Sequence, residues 1–157
     1  MITCTVKRRC VTGATDYLFY RGNTLISATS VLTLPPGSPY QIHFQCGSMV
    51  LSCSQDPEVT VYSGSSTSLF TENPHKEYAR LVFLSANEYE LRIGQDTIHI
   101  IDLDSTHFYH NNTLIAVMEP VAGPVENDRE PVRTLKTVLP LTDTMLVLLM
   151  SFPLYQI

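Results

Sequence analysis

Ala79-Arg80-Leu81-Val82-Phe83-Leu84, Glu88-Tyr89-Glu90-Leu91-Arg92-Ile93 and Gly94-Gln95-Asp96-Thr97-Ile98 follow one another closely in the second half of the chain. The first run is apolar on both faces, the pattern of a strand covered on both sides. The second alternates: Tyr89, Leu91 and Ile93 point one way and Glu88 and Glu90 the other, the period of a half-buried strand. Gly94-Gln95 then turns the chain into an apolar run from Thr97 to Leu103. Strand, turn and strand at this spacing predict an antiparallel all-β fold.

The same pattern extends outward from this stretch. Upstream, strands are expected over Ile2 to Val6, Asp16 to Tyr20, and Leu25 to Leu34, the last stopped by Pro35-Pro36-Gly37. Gln41 to Cys46 alternates cleanly and Met49 to Cys53 returns. Gln55-Asp56-Pro57 turns the chain again, and Val59 and Val61 point inward together. Downstream, Phe108 to Met118 reads as one further strand. Turn signals recur about every 8–12 residues, the spacing of sandwiches and barrels, and the expected arrangement is a single-domain jelly-roll or Greek-key sandwich.

The 157 residues suit one domain, and 44% hydrophobic content supports a real core. A net charge of −5 argues against a nucleic-acid wrapper, whose affinity comes from neutralising phosphates. Lys7-Arg8-Arg9 is accordingly read as a solvated strand end. Cys4, Cys10, Cys46 and Cys53 form no close C-x-x-C pair, so neither a zinc site nor a redox motif is indicated. With a turn at Gly47-Ser48, Cys46 would lie opposite Met49 and Cys53 opposite Ile42. A cross-hairpin disulfide competes with free buried thiols, and the thiols are favoured because the two sulfurs are not neighbours. That points to a reducing compartment, cytoplasmic or nuclear. The first twenty residues carry no signal-peptide core, which leaves the Asn111-Asn112-Thr113 sequon idle. Met145 to Phe152 is far short of the ~20 residues a membrane span needs.

Glu119 to Pro131 holds three prolines and four acids without apolar periodicity and reads as a tether. It divides a β-body, residues 1–118, from an apolar C-terminal arm, residues 132–157. The arm must dock, either on its own body or on a neighbouring subunit as a swapped arm. The second option makes the protein a homo-oligomer, with a trimer as the candidate. Met145 to Met150 also fits a short helix, since Leu and Met favour helices.

Three stretches in order resemble the trimeric dUTPases. Gly13-Ala14-Thr15-Asp16-Tyr17-Leu18-Phe19 is similar to a scrambled first motif of that family, and Leu32-Thr33-Leu34-Pro35-Pro36-Gly37 to its next strand and turn. Ala79 to Leu84, Asn87 to Ile93 and Gly94 to Ile98 resemble its late hairpin. Val61-Tyr62-Ser63-Gly64-Ser65-Ser66 stands where the family has an Arg-Ser-Gly phosphate turn, with Tyr62 in place of the arginine. Thr67 to Tyr78 contains no counterpart of the segment whose aspartate activates water and whose tyrosine backs the deoxyribose. Asp16 precedes Tyr17 instead of following it, and the Gly-rich closing motif is missing. The resemblance therefore implies a non-catalytic viral relative of adenoviral early-region or herpesviral type, acting without a cofactor by binding host proteins. It also implies a role for the terminus Leu154-Tyr155-Gln156-Ile157, which fits an apolar PDZ ligand through Leu154, Tyr155 and Ile157. Packing of Phe152 to Ile157 as a final strand is the competing reading.

Other constellations read as surface features. His107 and His110, near Asp102 and Asp104, face opposite sides of a strand and do not converge on a metal. His43, Ser63 and Asp56 lack the glycines of a nucleophile elbow. The expected function is a non-enzymatic protein-interaction module. A structural jelly roll of a virion or its assembly is the alternative, and a small ligand-binding β-domain the third reading.

Overall fold

The computed structural model describes residues 2–11, 14–32, 41–46, 49–55, 66–72, 75–121 and 131–155, with side chains over 2–9, 15–30, 78–121 and 131–153. Among the described residues the chain forms a closed antiparallel barrel of twelve strands. The first half is β1 (Thr3–Val11), β2 (Ala14–Arg21), β3 (Thr24–Leu32), β4 (Gln41–Cys46), β5 (Met49–Gln55) and β6 (Ser66–Glu72). The second is β7 (His75–Ser85), β8 (Glu88–Ile93), β9 (Asp96–Asp102), β10 (Thr106–His110), β11 (Thr113–Pro120) and β12 (Pro131–Thr137). Two helices follow, α1 (Asp143–Met150) and α2 (Phe152–Tyr155).

The all-β expectation holds, and the strand order corrects its finer form. Every strand pairs with the next in sequence, and β1 closes the ring against β12. A Greek key or jelly roll places non-consecutive strands side by side within the sheet. Here β1–β12 is the one such pair, and it is the closure. The reason is local: the described turns between β2 and β3, β8 and β9, and β10 and β11 are two-residue hairpins, which leave each strand no choice of neighbour. Gly22 and Gly94 open two of them at φ +58° and +60°, and Asn111 and Asn112 both take positive φ in the third. That last turn splits the predicted Phe108 to Met118 strand into β10 and β11. Asn tolerates the left-handed conformation, and two in succession make a tight hairpin turn.

The predicted hairpin register at Gly47-Ser48 is the observed one, with Cys46 opposite Met49 and Ile42 opposite Cys53. The cysteine side chains at 10, 46 and 53 lie outside the described residues, as do Val59, Val61 and Pro35-Pro36-Gly37.

The expected division at residue 118 falls within β11 (Thr113–Pro120). Glu119 and Pro120 belong to β11, and residues 131–137 are a wall strand bonded to both β1 and β11. Ile2 and Thr137 lock the seam, Thr137 N donating to Ile2 O at 3.0 Å and Ile2 N to Thr137 Oγ1 at 3.2 Å. In the single chain the rest of the arm docks on its own body. Helix α1 enters the lumen and packs against β2, β3 and β4. Beyond it, Phe152 meets the opposite wall, edge-on to Tyr89 of β8 and Phe108 of β10 at 5.2 and 6.2 Å between ring centres. Leu146, Val147, Leu148, Leu149 and Met150 are all buried, so the helix is covered on every side. A helix apolar all round needs such a site.

Barrel dimensions explain why one helix fits. Twelve strands about 4.8 Å apart and tilted ~40° give a backbone diameter of about 24 Å. A side-chain layer of about 5 Å on each wall leaves room for one helix some 10–12 Å across. Among the described residues the lumen face is mostly apolar (Cys4, Val6, Phe19, Leu91, Ile100, Phe108), with buried Ser27, Thr29, Thr106 and Thr137 between them and Arg133 opposite Val6, while Lys7, Arg9, Asp16, Glu90, Arg92 and Lys136 point outward. This is the inverse of an outer-membrane barrel, which shows lipid an apolar band around a polar interior. No helix among the described residues is long and apolar enough to cross a membrane.

Candidate functional site

The lumen offers no open chamber among the described residues. Where the end of α1 meets the wall, Val6, Tyr17, Phe19, Val132, Arg133, Met150 and Pro153 leave a gap of about 20 Å³, scarcely more than one water needs. Burial pushes the Arg133 guanidinium below its usual range there, against the opposing pull of Asp102 and then Tyr17. Asp102 itself accepts from Thr106 Oγ1 at 2.8 Å. At the opposite mouth Arg21 of β2 donates to Asp143 at the start of α1, pinning the helix to the rim.

A larger cavity, about 400 Å³, is lined among the described residues by Tyr78, Ala79, Arg80, Arg92 and Gly94. Two irregularities in β7 build it. Opposite β6, Leu69 pairs with Ala79 and Phe70 with Glu77, so Tyr78 is an extra residue in a bulge. Opposite β8, the register shifts between Phe83 and Ser85, leaving Leu84 as a second extra residue. Without that second bulge the Ser85–Glu88 pairing would run on to set Arg80 against Ile93, a charged residue against a lumen-facing one. With it, Ala79, Leu81 and Phe83 face inward, and Arg80 and Arg92 come directly opposite each other outside.

Like charges directly opposite in a sheet repel. Glu90, two residues from Arg92 on the same face, offsets part of this: its Oε2 accepts from Arg92 Nε at 3.1 Å and Nη2 at 2.9 Å. Glu90 thereby pairs with Arg92 on the outer face of β8. Gly94 opens the adjoining turn at a positive φ that favours glycine. Chemically the arrangement is a cluster of charged side chains, Arg80, Glu90 and Arg92, beside a bulge whose Tyr78 packs against the core.

The residues singled out in the sequence lie elsewhere. Leu154 and Tyr155 are in α2, where the backbone is helical, whereas PDZ-type strand addition requires an extended tail. Their side chains, and Ile157, lie outside the described residues. His107 faces outward and stacks on Tyr109, with ring centres 6.4 Å apart. His110 instead lies 3.4 Å from Asp96, so the two histidines diverge as expected. No group of three or more His, Cys, Asp or Glu among the described residues could hold a metal ion. Asp16 lies on the outer wall in register with Arg9 and Ser30, accepting from Arg9 Nη2 and Ser30 Oγ, each at 2.6 Å. The Ser30 hydrogen bond first and the Arg9 contact second hold its carboxyl below the usual range. The His43, Ser63 and Asp56 side chains lie outside the described residues.

Sequence reasoning missed Arg80 and Arg92 as a pair, because a hairpin register counted without the Leu84 bulge never sets them face to face. The signal was pleat consistency: a register that opposes Arg80 to Ile93 contradicts the alternation of β8. No family model matches the chain, and no curated protein or solved structure does either.

Proposed function

We propose that this chain is a non-enzymatic protein-interaction module that works through the outer wall of its barrel. One observation carries the reading: among the described residues the interior is occupied by the chain's own helix, with Leu146 to Met150 and Phe152 at most 1% exposed. Barrels that store or carry small molecules keep a cavity in the lumen. Among the described residues this one spends its lumen on packing α1, while most of its charged side chains point outward. The filled lumen also weighs against a small ligand held inside the barrel. The viral, host-directed setting rests on motif resemblance alone, and the nearest-neighbour strand order gives a dUTPase-like body no support.

The test uses purified full-length protein. Peptide display on the folded chain is expected to select ligands whose binding is lost on substitution of outer-wall side chains and is unchanged when the C-terminal carboxylate is amidated. Turnover of dUTP that vanished in Asp16→Ala would overturn the reading. Large ordered shells or rings, without peptide ligands, would replace it with the structural alternative.

A further inference from the structure

We propose that the outer wall over the closing seam of the barrel, between Lys7, Tyr20 and Lys136, binds an acidic polypeptide segment lying extended along β1. This rests on the interaction-module reading and names the chemistry of the partner. Closure of the ring sets Lys136 of β12 opposite Thr3 of β1, and Tyr20 of β2 stands opposite Thr5. Lys7 lies two residues beyond Thr5 on the same face, its ammonium 4.8 Å from the centre of the Tyr20 ring. Three side chains far apart in sequence thus share one patch of wall. Leu25, opposite Tyr20 on β3 and 53% exposed, and Leu18, opposite Lys7, extend it with apolar surface.

Neither lysine has a carboxylate within ion-pair distance among the described residues. Arg9, the next outward cation on β1, is engaged by Asp16. Glu119 of β11 opposes Thr134, a diagonal step from Lys136, and makes no ion pair with it. Two local positive charges therefore stand beside a tyrosine and two leucines on a chain of net charge −5. That net charge disfavours a polyanion such as nucleic acid or an anionic membrane, and leaves a short segment with a few carboxylates as the matching partner. Lys7 is four residues along β1 from Thr3, the partner of Lys136, which is about 13 Å at the rise of a strand. An extended segment with acids at positions i and i+4 spans the same distance, and an apolar residue at i+2 falls over Tyr20 and Leu25. The patch is built on paired strands, so these spacings are set before binding.

Titration of the full-length protein with acetyl-Glu-Thr-Leu-Thr-Glu-amide, followed through the backbone amide resonances of Thr5, Tyr20 and Lys136, tests the proposal. Saturable shifts are expected, with binding several-fold weaker at about 0.3 M salt than at about 0.03 M. The same peptide with glutamine in place of both acids should bind about threefold or more weakly. Lys7→Gln and Lys136→Gln should each weaken binding by about two- to fivefold. Arg92→Gln, on β8 and engaged by Glu90, should leave it unchanged. Absent shifts, binding indifferent to salt, equal binding of the glutamine peptide, or binding that survives both lysine substitutions would overturn the proposal. Tighter binding of duplex DNA or of anionic lipid vesicles at the same residues would overturn it too. Displayed peptides whose binding is lost on substitutions elsewhere on the outer wall, and not at Lys7 or Lys136, would sink this inference while leaving the interaction-module reading intact.

Discussion

Cys4 is fully buried in the lumen, and desolvation pushes its thiol up to about 11, with Arg21 pulling down and Asp143 pushing up. Below pH ~9 both folded and unfolded chains keep this proton. Between ~9 and ~11 the unfolded chain loses it first, so stability falls as pH rises, by roughly 2–3 kcal/mol over that window. Urea unfolding of the wild type and Cys4→Ala, compared from pH 8 to 11, should show the wild type losing about 2–3 kcal/mol more than the variant. Asp16 works in the opposite direction. Its depressed carboxyl contributes stability above the ordinary carboxylate range, and that contribution is lost as pH falls through its folded value. Ser30→Ala should move the Asp16 midpoint, followed by carboxyl NMR, back upward. Ser151 carries a cost: its Oγ is buried with no hydrogen-bond partner among the described residues. Ser151→Ala is therefore expected to raise stability by about 1 kcal/mol in equilibrium unfolding.

Helix α1 has only eight residues and would be marginal alone in water. It persists because the barrel covers it, and because Thr142 caps it by accepting from Met145 N at 3.2 Å. Thr142→Ala should cost about 1 kcal/mol, and Leu148→Ala, deep in the lumen, about 2–5 kcal/mol. Thermal melts of the two variants should rank them in that order. The exposed Arg21–Asp143 pair, about two-fifths exposed on each side, orients the helix more than it stabilises it. The strands were legible in the sequence to different degrees. β4 and β8 alternate cleanly, and their predicted bounds are the observed ones. The β10–β11 turn escaped because Asn111-Asn112 carries neither glycine nor proline, and apolar residues continue on both sides of it. The bulges of β7 escaped because nothing in Tyr78 or Leu84 distinguishes an extra residue from a paired one; only the neighbouring strands do.

For the whole molecule, the wall and its filling are separable. A chain ending at Met118 loses β12, leaving β1 and β11 as open edges, and is expected to aggregate. A chain ending at Val138 keeps all twelve strands but empties the lumen. It should retain β-sheet circular dichroism while binding a hydrophobic dye, at a stability many kcal/mol lower. Equal stability of that chain and the full-length protein would show that α1 is not the structural core. What the sequence by itself determined was local: β-class, strand alternation, several turns, the hairpin register at 47–48, and the need of the last 26 residues for cover. These follow from side-chain period and turn stereochemistry, which act over a few residues. The tertiary structure alone decided that residues 131–137 close a ring, that α1 fills it, and that two bulges bring Arg80 and Arg92 together. Closure and filling depend on the circumference of the completed wall, and the arginine pairing on register between strands. Both are properties of the assembled sheet that no single stretch of chain contains.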